Sequence, residues 1–241
     1  MPTVLVTRPQ HLQAHFISLC QSLGLNTHSL PLLRILPTKV DHNLWQPHLT
    51  GDNTAWIFTS RNAVEHCPFD SNPSGPVFAM GASTAQALRL TGRTLAAEPE
   101  VPFNSEALVK QLRHANANSA VVITGIGGRG YLGKELKSMD WTVTEVRCYK
   151  RVAETHSKRS VTDALNAADI LSLTSIESMD ALLEMSQHDN SNWQTKPVVV
   201  NSERAVTAAK AAGFTGDIHT AIPAGDQGQI EAIKKLFMKR S

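Results

Sequence analysis

The sequence predicts an α/β protein made of two doubly wound parallel-sheet domains of similar topology, with a cleft between them. Three observations carry this. The chain repeats itself, short apolar runs alternate with amphipathic stretches throughout, and the runs end in small or hydroxylated residues. Val4-Leu5-Val6-Thr7 is matched by Val121-Val122-Ile123-Thr124, Phe58-Thr59-Ser60 by Leu173-Thr174-Ser175, and Val77-Phe78-Ala79 by Val198-Val199-Val200. The offset is nearly constant, as expected for a duplicated unit. Two modules of one design usually leave a crevice, and ligands favour such crevices.

The elements follow in order. The runs 4–6, 55–58, 77–80, 121–123, 170–173 and 198–200 are short and mostly β-branched or aromatic, the pattern of strands buried on both faces. Leu12, Phe16, Leu19 and Leu23 share one helical face, and Gly24 follows as a stop. Ala85, Leu88 and Leu90 lead to Gly92, and Ala205, Ala208, Ala209 and Ala212 lead to Gly213. Strand–helix alternation implies parallel sheets. Two segments break the rhythm: 30–38 is extended and proline-bounded, and 142–152 alternates apolar with polar residues. Such alternation fits antiparallel strands, and these are the candidate linkers.

Composition narrows the function. Hydrophobic residues are 41% and charged residues 18% of the 241, which supports packed cores rather than a disordered chain. The net charge of +2 comes without any Lys/Arg-rich run, so no nucleic-acid partner is expected. No apolar run reaches the about 20 residues that a spanning helix needs, so no membrane association is expected. Cys20, Cys67 and Cys148 are scattered with no metal spacing and cannot all pair. With no leader-like start, they point to a reducing, cytoplasmic setting.

The chemistry is expected at the strand ends. In an open α/β sheet these face the ligand crevice. Here they carry Thr7, Thr59 and Ser60, then Gly81 with Ser83 and Thr84, then Thr174, Ser175 and Ser202. Each end also begins a helix, whose free N–H groups favour anions. Capping competes with this reading: 62–65 and 174–177 both match the capping-box pattern.

Gly125-Ile126-Gly127-Gly128-Arg129-Gly130 contains G-x-G-x-x-G after a strand, with Glu145 at the dinucleotide spacing. Glu145 lies inside an alternating run, however, and the matching turn Thr7-Arg8-Pro9 lacks glycine. A turn that brings backbone N–H groups to a carboxylate or phosphate is the preferred reading. His11 and His15 have ligand spacing but no evident carboxylate or Cys partner, and are read as exposed.

At this point the chain resembles the uroporphyrinogen-III synthase family over nearly its whole length. The resemblance rests on Leu5-Val6-Thr7-Arg8-Pro9, on Phe58-Thr59-Ser60-Arg61-Asn62-Ala63-Val64 and on Phe78-Ala79-Met80-Gly81-Ala82-Ser83-Thr84-Ala85. It continues through Ile123 to Gly130, Glu145-Val146-Arg147-Cys148-Tyr149-Lys150-Arg151, and Val199-Val200-Asn201-Ser202-Glu203-Arg204-Ala205. Six motifs in the family's order are specific where each alone is weak.

The resemblance implies a discontinuous first domain, 1–33 with 156–241, and a second domain, 40–142. They would be joined by a two-stranded antiparallel linker, 34–39 and 143–155. It implies cyclisation of hydroxymethylbilane, a linear tetrapyrrole bearing acetate and propionate groups, with loss of water and inversion of ring D. No metal or organic cofactor is implied. Tyr149 is carried over as the acid. The implied substrate contacts add Arg8 and Arg129 as charged contacts, the Gly127-Gly128 turn, Asn62, Glu203 and Arg204 to the strand-end residues above. Glu177 would place a carboxylate near Thr174 and Ser175, or cap its own helix. Hydroxymethylbilane synthase is the expected upstream partner and a monomer the expected state. The competing expectations are a non-catalytic two-domain anion-binding protein and a dinucleotide-dependent oxidoreductase.

Overall fold

The computed structural model describes residues 1–127 and 130–238. Its strands, in chain order, are β1 (Thr3–Val6), β2 (Asn26–Ser29), β3 (Leu33–Pro37), β4 (Thr54–Phe58), β5 (Val77–Ala79), β6 (Ser119–Gly125), β7 (Thr142–Ala153), β8 (Ile170–Leu173), β9 (Val198–Val200) and β10 (Ile218–Thr220). The α-helices are α1 (Ala14–Ser22), α2 (Arg61–Glu65), α3 (Ala82–Leu90), α4 (Ser105–Leu112), α5 (Tyr131–Ser138), α6 (Lys158–Ala167), α7 (Ile176–Met185), α8 (Glu203–Ala211) and α9 (Asp226–Met238). The chain divides into two compact units, Met1–Arg34 with Val152–Ser241, and Ile35–Arg151.

The discontinuous unit is built on a sheet ordered β10-β9-β8-β1-β2, parallel throughout. β1 is an interior strand, with Val4 facing Thr27 on one side and Ile170 on the other. Its Val4, Leu5 and Val6 are fully buried, as a β-branched run between two neighbours requires. The edge strands are different. β2 reads Asn-Thr-His-Ser, and no residue of β2 or β10 is buried. An edge needs no apolar side chains to hold its hydrogen bonds, so neither strand has a hydrophobic signature.

The continuous unit uses the order β3-β7-β6-β4-β5. β4 is buried along its whole length between β6 and β5, both parallel to it. β7 has two roles. Thr142 to Tyr149 pair parallel with β6. Beside β3, the Thr38 N–H donates to the Cys148 carbonyl and the Glu154 N–H to the Leu32 carbonyl. The partner number falls as the chain advances, so β3 and β7 run antiparallel. The alternation seen in the sequence therefore belongs to one strand with both kinds of neighbour.

The first helix is shifted from its expected face. Pro9 opens a 3-10 turn at Gln10–Leu12, so α1 starts at Ala14. Its buried line is Gln13, Phe16 and Cys20, while Leu23 is exposed. Gln13 tolerates burial because its amide donates to the Arg8 carbonyl and accepts from the Ser29 hydroxyl. The run after Val64 is short, as its prolines suggest: α2 has five residues.

One C-terminal device recurs four times. After α1, Gly24 N–H bonds to the Gln21 carbonyl and Leu25 N–H to Cys20. After α3 the pairs are Gly92 to Arg89 and Arg93 to Leu88; after α8 they are Gly213 to Lys210 and Phe214 to Ala209. This is the Schellman arrangement, and its turning residue has positive φ. After α5 the same bonds are Asp140 to Lys137 and Trp141 to Leu136, but the turning residue is Asp140 at φ 61°. Trp141 buries itself as Leu25 does.

A side chain in the left-handed region is disfavoured relative to glycine, least so for Asn and Asp. Asp140→Gly is therefore expected to raise stability by about 0.5–1 kcal/mol, read as a higher denaturation midpoint at unchanged slope.

Candidate active site

The site in the continuous unit is set by a close approach. β6 and β7 slip register between Thr124 and Gly125, so Thr124 faces Arg147 while Gly125 faces Tyr149. Cys148 is the extra residue, and the slip turns Tyr149 over the end of β6. The ring lies against the bare Cα of Gly125: a Cβ built there would stand 2.5 Å from Tyr149 Cζ. Only glycine fits. The ring is 1% exposed and belongs to the apolar cluster that includes Phe58, Ala63, Val64 and Ile123.

The phenol oxygen keeps two polar partners among the described residues. Ser60 Oγ is at 2.9 Å, and Arg151 Nη2 donates to it over 3.1 Å. The Arg151 guanidinium carbon lies 5.4 Å from the ring centroid, and the His66 ring 6.1 Å from it. Ser60 is half-buried at the end of β4, where its Oγ accepts the Ala63 N–H and caps α2. Beneath the site, Cys148 donates weakly to the carbonyls of Ala63 and Thr124. Burial pushes its thiol up to about 12, with Cys67 adding to the effect. It is a packing group rather than a nucleophile.

The remaining candidates of this unit follow the carboxyl ends of β4, β5 and β6. Thr59 donates to the Ile123 carbonyl and to Thr124 Oγ1, tying β4 to β6. Asn62 is buried in α2. Gly81 caps α3, where Ser83 is exposed and Thr84 buried. Gly127 is exposed at φ 96°. Gly128 and Arg129 lie outside the described residues. Glu145 faces Val122 in mid-strand and bonds Arg147, which is not the strand-end position a ribose ligand takes.

In the discontinuous unit several candidates are committed to the fold. The buried Thr7 hydroxyl donates to the Ser172 carbonyl over 2.5 Å. Arg8 is 7% exposed, pairs with Asp226 and lies 4.0 Å over the Phe16 ring. Asp226 also takes His15 Nδ1 at 2.7 Å, so His15 has the carboxylate partner its sequence neighbourhood did not show. No cluster of three metal-ligating side chains occurs among the described residues.

The capping boxes read from the sequence change partners. Ser175 caps α7, but the reciprocal group is Ser178, not Glu177, which is exposed. A short hydroxyl at that position already satisfies the cap. In the 62–65 motif the cap is Ser60, and Glu65 pairs instead with Arg61. Ser202 caps α8 through the Ala205 N–H, Glu203 accepts from Thr220, and Arg204 is exposed. The Thr174 carbonyl accepts from Asn201.

Sequence reasoning missed a buried amide chain. Ser172 Oγ donates to Gln229 Oε1, and Gln229 Nε2 donates to Asn201 Oδ1, each over 2.9 Å. It joins β8, the end of β9 and α9, segments too far apart in the chain for any spacing to reveal. Asp226 was missed for the same reason.

Paired parallel-sheet units, strand-end hydroxyls and one glycine-seated tyrosine define a two-unit α/β protein whose polar chemistry collects at strand ends. A family model described as uroporphyrinogen-III synthase HemD matches residues 14–225, so the chain belongs to the uroporphyrinogen-III synthase family. A curated relative, uroporphyrinogen-III synthase of Salmonella typhimurium, is 27% identical over 250 residues, covering 96% of this chain and all of that one. The fold is similar to that of uroporphyrinogen-III synthetase from Helicobacter pylori, with a TM-score of 0.64 at 16% identity over 98% of this chain and all of the other. It is also similar to a mutant uroporphyrinogen III synthase from Thermus thermophilus, with a TM-score of 0.59 at 14% identity over 99% of this chain and all of the other. Among the described residues no helix is long and apolar enough to cross a membrane.

The seat of the tyrosine gives a direct test. Gly125→Ala is expected to displace the Tyr149 ring, quench the cyclising activity by at least about tenfold, and cost about 1–3 kcal/mol as an overpacked contact. Turnover by isomer analysis and thermal melting measure the two effects separately.

Proposed function

We propose that this chain takes hydroxymethylbilane, removes its terminal hydroxyl as water, and closes the ring with ring D inverted to give uroporphyrinogen III. The observation that carries this is family membership through residues 14–225. A non-catalytic anion-binding role is not favoured by it. The reaction needs little from the protein beyond a proton and a held conformation. Departure of the hydroxyl leaves a resonance-stabilised azafulvene cation. The chain must then fold so that ring D attacks through a spiro intermediate, and positioning dominates such a step.

Tyr149 is the proposed source of the proton that the dehydration consumes. Its support is the constellation in the continuous unit: a phenol held at a strand end, with a guanidinium donating to its oxygen. Negative charge developing on that oxygen is stabilised by the neighbouring cation. The substrate carboxylates are assigned to the accessible strand-end groups, Ser83, Gly127, Ser202 and Arg204, with Gly128 and Arg129 retained as contacts. Thr59, Ser60, Asn62, Gly81, Thr174, Ser175 and Glu203 shape those ends. Thr7, Thr84 and Arg8, being buried, are assigned to holding the strand ends of their own units in shape. The remaining parts of the reading are a cytoplasmic monomer supplied by hydroxymethylbilane synthase.

A coupled assay tests this. Hydroxymethylbilane is generated in situ, the protein is added, and the oxidised products are resolved by isomer. The type III ring system is expected in place of type I; type I alone from folded protein overturns the proposal. Tyr149→Phe is expected to lower the rate by about 10²–10⁴-fold, the usual range for an acid, without unfolding the chain. Unchanged turnover removes Tyr149 from the role.

A further inference from the structure

Tyr149 is 1% exposed, and both groups bonded to its oxygen are protein groups. Its proton must therefore reach a substrate through something else. The hydrogen-bond directions identify the carrier. Arg151 has only protons to give, so the phenol oxygen accepts from it. If Ser60 also donated to that oxygen, the phenol proton would be buried with no acceptor among the described residues, at the cost of an unsatisfied buried donor. The phenol instead donates to Ser60 Oγ. That oxygen already accepts the Ala63 N–H over 3.1 Å. A hydroxyl has two lone pairs and one proton. With both lone pairs used, the Ser60 proton is the one member of the chain left to point outward, and Ser60 is half-buried where Tyr149 is not.

We propose that Ser60 hands the proton to the departing hydroxyl, and that Tyr149 and Arg151 are the positioning and resupply residues behind it. This rests on the reading of the reaction given above. As the carbon–oxygen bond of the hydroxymethyl group breaks, its electron pair leaves with oxygen. Ser60 protonates that oxygen and water departs. Tyr149 passes its proton to Ser60, leaving a phenolate beside the Arg151 guanidinium. When ring closure expels a proton from the terminal pyrrole carbon, the same chain takes it back, so the enzyme is restored and one water is released overall. A chain of bonds ending on a cation polarises each member toward the outer donor.

Two measurements decide it. Asn is as good a helix cap as Ser but has no hydroxyl proton, whereas Thr has both. Ser60→Asn is expected to lower kcat for the type III product by about 10²-fold or more with KM little changed, and Ser60→Thr to keep turnover within about threefold. Ser60→Asn as active as Ser60→Thr would make the residue a cap only and overturn the proposal. If Ser60→Asn fails to fold, Ser60→Gly serves, since glycine caps a helix nearly as well as Ser; the same kcat loss is expected.

The second measurement does not depend on turnover. In a Tyr131→Phe background Tyr149 is the one tyrosine left, and the Raman Fermi doublet of its ring reports whether the phenol donates or accepts. A donating phenol that loses this signature in Ser60→Gly is expected; a phenol that only accepts overturns the proposal. Wild-type protein giving type I product alone would overturn the reaction reading and the donor role together. Wild-type protein giving type III with an active Ser60→Asn overturns the donor role alone.

Discussion

The contact of the Tyr149 ring with the bare Cα of Gly125 is the constraint on which the rest of the site depends. It fixes the ring where any side chain at position 125 would have to displace it, and the register slip between β6 and β7 places it there. From that seat the phenol oxygen meets Ser60, which follows β4 as the cap of α2, and Arg151, which arrives on β7 itself. The phenol and the Ser60 hydroxyl, one from β7 and one from the cap of α2, are thus held by packing and backbone geometry. A rotamer locked by packing costs little entropy to organise when a substrate arrives.

The two units solve one packing problem with one set of parts. Each sets a fully buried strand in the interior of a five-stranded sheet, β8 in one and β4 in the other, and Schellman turns end helices in both. Because every neighbouring pair but β3 and β7 is parallel, the carboxyl ends of those strands collect on one side of each sheet, and the hydroxyls that follow them collect there too. Much of that polarity is spent on the fold. Ser60, Ser175 and Ser202 cap helices, and Thr59 and Thr7 tie neighbouring strands. The difference between a capping hydroxyl and a reacting one lies in what else the oxygen accepts. Ser60 alone among these caps also holds a phenol.

The charge balance of the discontinuous unit follows the same economy. Arg8, a prominent cation in the sequence, is buried over Phe16 and neutralised by Asp226. A buried guanidinium needs its carboxylate, because without it the charge has lost its hydration and gained nothing in return. Its position therefore organises β1 against the start of α9.

The sequence by itself determined the class of fold, because buried parallel strands must be apolar runs and helices must carry periodic stripes. The segments at 4–6, 55–58, 121–123 and 198–200 could be read that way, and so could the glycine stops at Gly24, Gly92 and Gly213. The family motifs were legible because their order is itself linear. Tertiary structure decided what no linear pattern contains. β2 and β10 are edge strands held by backbone bonds, so their side chains carry no signal. Asp140 takes a glycine's place through its backbone angle alone. Asp226 meets Arg8 and His15, and Gln229 meets Ser172 and Asn201, across long stretches of chain. The sequence offered Ser60 and Tyr149 as separate candidates. Only the folded chain brought their oxygens within 2.9 Å and put Arg151 behind them, because a hydrogen bond depends on distance in space and not on separation along the chain.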